Sequence, residues 1–278
     1  MALEKLSDID RRYIYLLLLV LLAYPVLFPI GLPIQITHEA RTIYDDIEAI
    51  PEGSLVVMQM DYSAGHAAEL GPQSRAIIQH MFMKRLKIIM PCFEPEGPAQ
   101  TVITMDGMDT FDAVYGEDWV QLPYMVGGES AVAAFASNWP SIVTTDHFGN
   151  PLEDMPIMKL YNDANDVVYW FAMGGGSPAG GGSYGPAITQ VVARYGTPLG
   201  VGALAWGAPL VYPYYESGTI AGLLIGQRGA AEYELLINKP MSAVASTDSI
   251  SISHLYVVLL IALGNVGYFS RKFRGERK

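Results

Sequence analysis

Asp61, Tyr62, Ser63, His66 and Glu69 fall within nine residues, DYSAGHAAE, directly after the apolar run LVVMQM. A hydroxyl, an imidazole and a carboxylate are the types that hydrolytic chemistry needs: the imidazole takes the hydroxyl proton and the carboxylate orients the imidazole. Glu129, just after Gly127-Gly128, supplies a second acid from a distant part of the chain. If the chain is an enzyme, Asp61, Ser63, His66 and Glu129 are its catalytic candidates, acting on peptide, ester or glycan substrates. Residues this close in sequence form a relay only when loop geometry turns them toward one another.

Other chemistry is less well supplied. Asp61, His66, Glu69, Asp146 and His147 are metal-ligand types, but none shows a tight spacing such as H-x-x-x-H, so we expect solvated loop residues and no metal. The conspicuous stretch Gly174–Gly185, GGGSPAGGGSYG, lacks the Lys that a phosphate-binding loop requires. Gly174, Gly176 and Ala179 match G-x-G-x-x-A, yet Pro178 lies inside the match, so a flexible loop or a close backbone approach is expected and no cofactor. Cys92 is the only cysteine; with Glu94 and Glu96 nearby it reads as a buried structural thiol at a strand end.

These side chains need a scaffold. Of the 278 residues, 51% are hydrophobic and 16% charged, with a mean hydropathy of +0.24. That composition excludes a disordered tail or a disulfide-dense scaffold. Residues 13–30 form an 18-residue run without a charge, after Arg11 and Arg12; residues 252–269 form another, before the basic tail 270–278. Each is long enough to cross a hydrocarbon core of about 30 Å. No small-residue cleavage site follows the first run, so it reads as a retained anchor. Residues 271–278 carry net +4 and residues 1–12 carry 0, which leaves −15 of the total −11 for residues 13–270. Basic ends stay in the cytoplasm, so residues 1–12 and 270–278 are expected inside and 31–251 outside. A domain of that charge repels nucleic acid.

Between the anchors, apolar runs alternate with helical spacing. Strands are expected at 54–61, 86–91, 119–124, 141–145, 166–173 and 199–206. Helices are expected at 38–50, 72–85, 101–114, 129–137, 186–195 and 217–237, with 238–251 as a polar connector. This predicts an α/β, Rossmann-like three-layer domain with a mostly parallel sheet, flanked by one N-terminal and one C-terminal transmembrane helix. Ligands of such sheets sit beyond the strands' carboxyl ends, so Asp61, Tyr62, Gly127, Gly128, Gly175 and Ser177 are the cleft candidates. Tyr212, Tyr214 and Tyr215, with Gly218, Gly222 and Gly226 spaced along the expected 217–237 helix, are candidates for a subunit contact, as is Asn265 in the second span.

Through DYSAGHAAELGP, EPEGP, YGEDWVQLPYMVGGE, TTDHFGNPLEDMPIM, YPYYESGTIAGLLIGQRGAAEYE and SHLYVVLLIALGN, the chain resembles a family of prokaryotic membrane proteins with an anchor at each end and an exterior α/β domain. No activity is assigned to that family, so the resemblance implies architecture and no catalytic residue. A weaker similarity, GGGSPAGGGSYG through LGVGALAWGAP, is to membrane-bound serine proteases of the signal peptide peptidase A type. There the turn that would hold the nucleophile reads Trp206-Gly207-Ala208-Pro209, without a hydroxyl. The function expected is a non-enzymatic, membrane-anchored exterior assembly or scaffold module. Its partners are the lipid bilayer and either further copies of itself or other membrane subunits. A hydrolase or a small-molecule receptor is the alternative.

Overall fold

The computed structural model describes residues 10–28, 30–175 and 184–273. The chain divides into two compact units, one of residues 34–239 and one made of both chain ends.

The unit 34–239 is built on six parallel strands: β1 Leu55–Asp61, β2 Lys87–Cys92, β3 Trp119–Tyr124, β4 Tyr169–Gly174, β5 Leu199–Ala203 and β6 Gly222–Ile225. Their order is β3-β2-β1-β4-β5-β6, so the chain reverses direction across the sheet between β1 and β4. Helices α2 His38–Ala49, α3 Ala67–Met83, α4 Gly97–Met105, α5 Glu129–Asn138, α6 (185–195, with a π-turn at Ile188–Val192), α7 Ala208–Glu216 and α8 Gly226–Leu236 connect and cover the strands. β1 is buried along its whole length, as expected of a central parallel strand with both faces covered. Alternate residues Leu55 and Val57 face a core shared with α5 and α6 through Phe135, Val132, Ala187 and Val191. β3, β2, β4 and β5 stand close to their expected positions, because near-continuous apolar runs leave a parallel strand few other places to go.

Four expectations are corrected. The run 217–237 is not one helix: Gly222–Ile225 forms β6, and only Gly226–Leu236 is helical. Gly218, Gly222 and Gly226 therefore do not share a helix face. Gly222 instead lies beneath α2, where a Cβ would overlap the Ile43 side chain, so glycine lets the helix close on the strand. Ser141–Thr145 is not a strand but a 3-10 turn at Trp139–Ser141 followed by a single bridge from Thr145 to Pro151. Helix 101–114 is instead Gly97–Met105, ending well before the turn at Phe111 and Asp112, both at positive φ.

The fourth correction concerns the other unit. The connector 238–251 is helical from Ser242 onward, as the start of α9, Ser242–Phe273. Within α9, Ser242–Ser270 is long and apolar enough to cross a membrane. Helix α1, Arg11–Leu27, has 17 residues, about 25 Å at the helical rise, short of the roughly 30 Å of hydrocarbon. The two helices lie antiparallel: Tyr256 donates its hydroxyl to the Ile14 carbonyl at 3.0 Å, and Ser249 to that of Leu22 at 3.1 Å. Asp248, fully buried, accepts the backbone N–H groups of Ile30, Gly31 and Leu32 at 2.9, 2.8 and 2.9 Å. Asn265 bonds back to the Ile261 carbonyl in its own helix at 2.9 Å.

Substituting Gly222→Val should lower the stability of the 34–239 unit by about 1–3 kcal/mol, the usual cost of overpacking. Chemical denaturation checks this; an unchanged midpoint would show that α2 does not close tightly on β6.

Candidate functional site

The carboxyl ends of β1 and β4 meet at the reversal of strand order, with Asp61 paired in register with Gly174. The end of the sheet at such a reversal is the usual ligand position of an open parallel sheet. Period two along β1 puts Gln59 and Asp61 on the same face, and both are fully buried. Asp61 Oδ1 accepts the Phe93 N–H at 2.6 Å, and Oδ2 accepts from Gln59 Nε2 at 2.6 Å. Gln59 Oε1 in turn accepts the Trp170 indole N–H at 2.9 Å. An indole only donates, so Trp170 fixes which end of the Gln59 amide faces Asp61. Burial pushes the Asp61 carboxyl up to about 8, against the two hydrogen bonds, with the Glu94 charge adding to the rise.

Ser63 and His66 are brought together. The 3-10 turn at Ala64–His66 sets Ser63 Oγ 3.3 Å from His66 Nδ1. Gly175 lies against the imidazole: a Cβ there would stand 2.9 Å from His66 Cε1, so the backbone after β4 approaches this ring as no other residue type allows. Among the described residues no carboxylate bonds to His66, and the third member of a relay is missing.

The remaining acids are engaged elsewhere. Glu69 Oε2 accepts the Ala205 N–H beyond β5 at 2.8 Å, and Glu96 Oε2 accepts the Ala64 N–H beyond β1 at 2.8 Å. Glu129, at the start of α5, accepts from Thr189 Oγ1 and Gln190 Nε2 of α6, both at 2.6 Å, and these bonds hold its carboxyl below the usual range. Asp146 accepts the N–H groups of Phe148 and Asn150 at 2.9 and 2.7 Å and the Tyr115 hydroxyl at 2.8 Å. These acids are thus latches, each carboxyl accepting from a neighbouring turn or helix. Among the described residues no group of three or more His, Cys, Asp or Glu side chains is placed to hold a metal ion.

Of the cleft candidates, Tyr62 is buried, its hydroxyl 3.0 Å from Thr104 Oγ1, and forms no open wall. Gly127 and Gly128 make the positive-φ turn into α5, and Ser177 lies outside the described residues. Cys92 ends β2 as a buried thiol, its pKa pushed up by burial, 3.7 Å from Thr101 Oγ1. Tyr212, Tyr214 and Tyr215 are half-buried against the domain's own core, and Tyr215 Oη lies 2.8 Å from His38 Nδ1. Sequence reasoning missed Gln59 and Trp170; the available signal was a polar residue two positions before Asp61 in an otherwise apolar strand. No family model, curated protein or solved structure matches this chain.

Asp61 generates a pH prediction. Its folded pKa, about 8, exceeds its unfolded value of 3.8, so its stabilising contribution is full below pH 3.8 and is lost as pH rises toward 8. Denaturation midpoints should fall between about pH 4 and 8 and level off above, and this slope should flatten in Asp61→Asn whatever that variant's baseline. An identical slope in both proteins would place the Asp61 pKa elsewhere.

Proposed function

We propose that this chain is a non-enzymatic assembly module: a Rossmann-like three-layer domain outside the membrane, held by a helix at each end, that associates with further copies of itself. One observation carries the reading. Residues 203–215 contain no charged side chain in a chain of net charge −11. Across the 3-10 turn Ala205–Gly207 and α7, this stretch exposes Trp206 (61%), Pro209, Leu210 (44%) and Pro213. Spacings of three and four residues put these side chains on one side, while Val211 faces the core and the three tyrosines flank it. A solvent-facing Trp in an uncharged patch is the composition of an interface centre.

The membrane reading rests on α9 and on α1 lying antiparallel to it with Leu16, Leu17, Leu19 and Val20 exposed. A span shorter than the hydrocarbon core is accommodated by local thinning of the bilayer. With both helices crossing, the basic residues flanking them support a reading in which the two termini lie in the cytoplasm. The acids committed to latches support the absence of catalysis, as does the incomplete Ser63–His66 pair.

Protein extracted in mild detergent should run as a defined oligomer by light scattering, and Trp206→Asp with Leu210→Asp should reduce it to the monomer with the fold intact. A wild-type monomer at every concentration would overturn the proposal. The Ser63–His66 contact at 3.3 Å favours a second reading, a serine hydrolase. A fluorophosphonate probe should leave the wild type unlabelled; labelling abolished by Ser63→Ala would establish the hydrolase instead.

A further inference from the structure

Away from the sheet's carboxyl ends, α2, α3 and α8 meet around one buried imidazole. His80 of α3 is 1% exposed. Its Nδ1 lies 2.8 Å from the Tyr233 hydroxyl of α8, and its Nε2 lies 3.1 Å from Glu48 Oε1 of α2. Tyr44 of α2 stacks on the ring, centroids 5.0 Å apart and planes 15° off parallel. Every charged or titratable group facing it can be named: Tyr44 and Glu48 from α2, Lys84 from its own helix, and Tyr233 from α8. Tyr169 of β4 and Asp46 of α2 act on Tyr233 in turn. Lys84 Nζ also donates to the Glu48 carboxylate at 3.1 Å and to its backbone carbonyl at 2.8 Å.

One protonation state satisfies this arrangement. In the neutral ring with its hydrogen on Nε2, that N–H donates to Glu48 and Nδ1 accepts the Tyr233 O–H. A proton added at Nδ1 turns the acceptor into a donor facing a donor. The Tyr233 hydroxyl must then turn its hydrogen away, and among the described residues it has no other hydrogen-bond partner. The added charge would also sit on a ring that is almost fully buried, and burial opposes it.

We propose that His80 is an acid-released clasp: the neutral imidazole holds α2 on α3 and α8, and its protonation frees α2 and uncovers β6, the outermost strand beneath it. Burial lowers the His80 pKa from its ordinary value, with Glu48 opposing and Lys84 assisting. The clasp's contribution is therefore complete above about 6.5, the unfolded His pKa, and is lost as pH falls below it. The inference does not depend on self-association.

The test uses the full chain in detergent micelles. The His80 ring proton should titrate by NMR with a midpoint below 6.5. Hydrogen exchange of the α2 amides, corrected for intrinsic rates, should accelerate below about pH 6.5 by up to about tenfold per pH unit, the slope for one proton taken up on opening. His80→Asn cannot titrate and should lose that acceleration. A midpoint at or above 6.5, a flat α2 profile in the wild type, or an unchanged slope in His80→Asn overturns the clasp. The wild-type titration decides the matter even if the variant does not fold.

Discussion

Carboxylate oxygens that accept hydrogen bonds from a neighbouring turn are the constraint on which this structure depends. Each turn that leaves a parallel strand exposes backbone N–H groups that the sheet cannot satisfy. Here Asp61 takes the Phe93 amide, Glu96 that of Ala64, and Glu69 that of Ala205, so the turns after β1, β2 and β5 are tied across the strand order. Asp248 applies the same device in the helical unit, on three consecutive amides. Asp61, its pKa raised by burial, accepts largely as the neutral acid at neutral pH, whereas a charged acceptor makes the stronger bond. Part of the chain's acidity is therefore structural.

This use of the acids shapes the functional reading. A catalytic carboxylate must reach its substrate, whereas Asp61 is sealed between Gln59 and the Phe93 amide and Glu129 is held by α6. One exposed surface is uncharged and apolar, on α7 and the turn before it. Acids that accept from the domain's own backbone, beside an apolar strip that faces outward, are what support the proposed assembly role.

The sequence revealed the strands better than the site. β1, β2 and β4 are near-continuous apolar runs, and burial on both faces permits little else. β6 was hidden because Gly222–Ile225 runs straight into α8, and glycine spacing imitates a helix face; the packing of Ile43 on Gly222, far apart in sequence, decides the matter. Cys92 was legible because its neighbours supply no activating charge. The latches were not, because a carboxylate bonded to a backbone amide leaves no side-chain partner to read. Asp248 looked like an ordinary polar residue in a connector for the same reason.

Self-association through α7 is the central claim, and the single buried Cys92 makes it directly testable in native membranes. A cysteine introduced by Leu210→Cys would be the one accessible thiol among the described residues. In a two-fold contact the same patch meets itself, so oxidation should give a disulfide-linked dimer, while Ile103→Cys, on the exposed side of α4, should give none. Absence of the Leu210→Cys dimer, or equal cross-linking at both positions, would contradict the account.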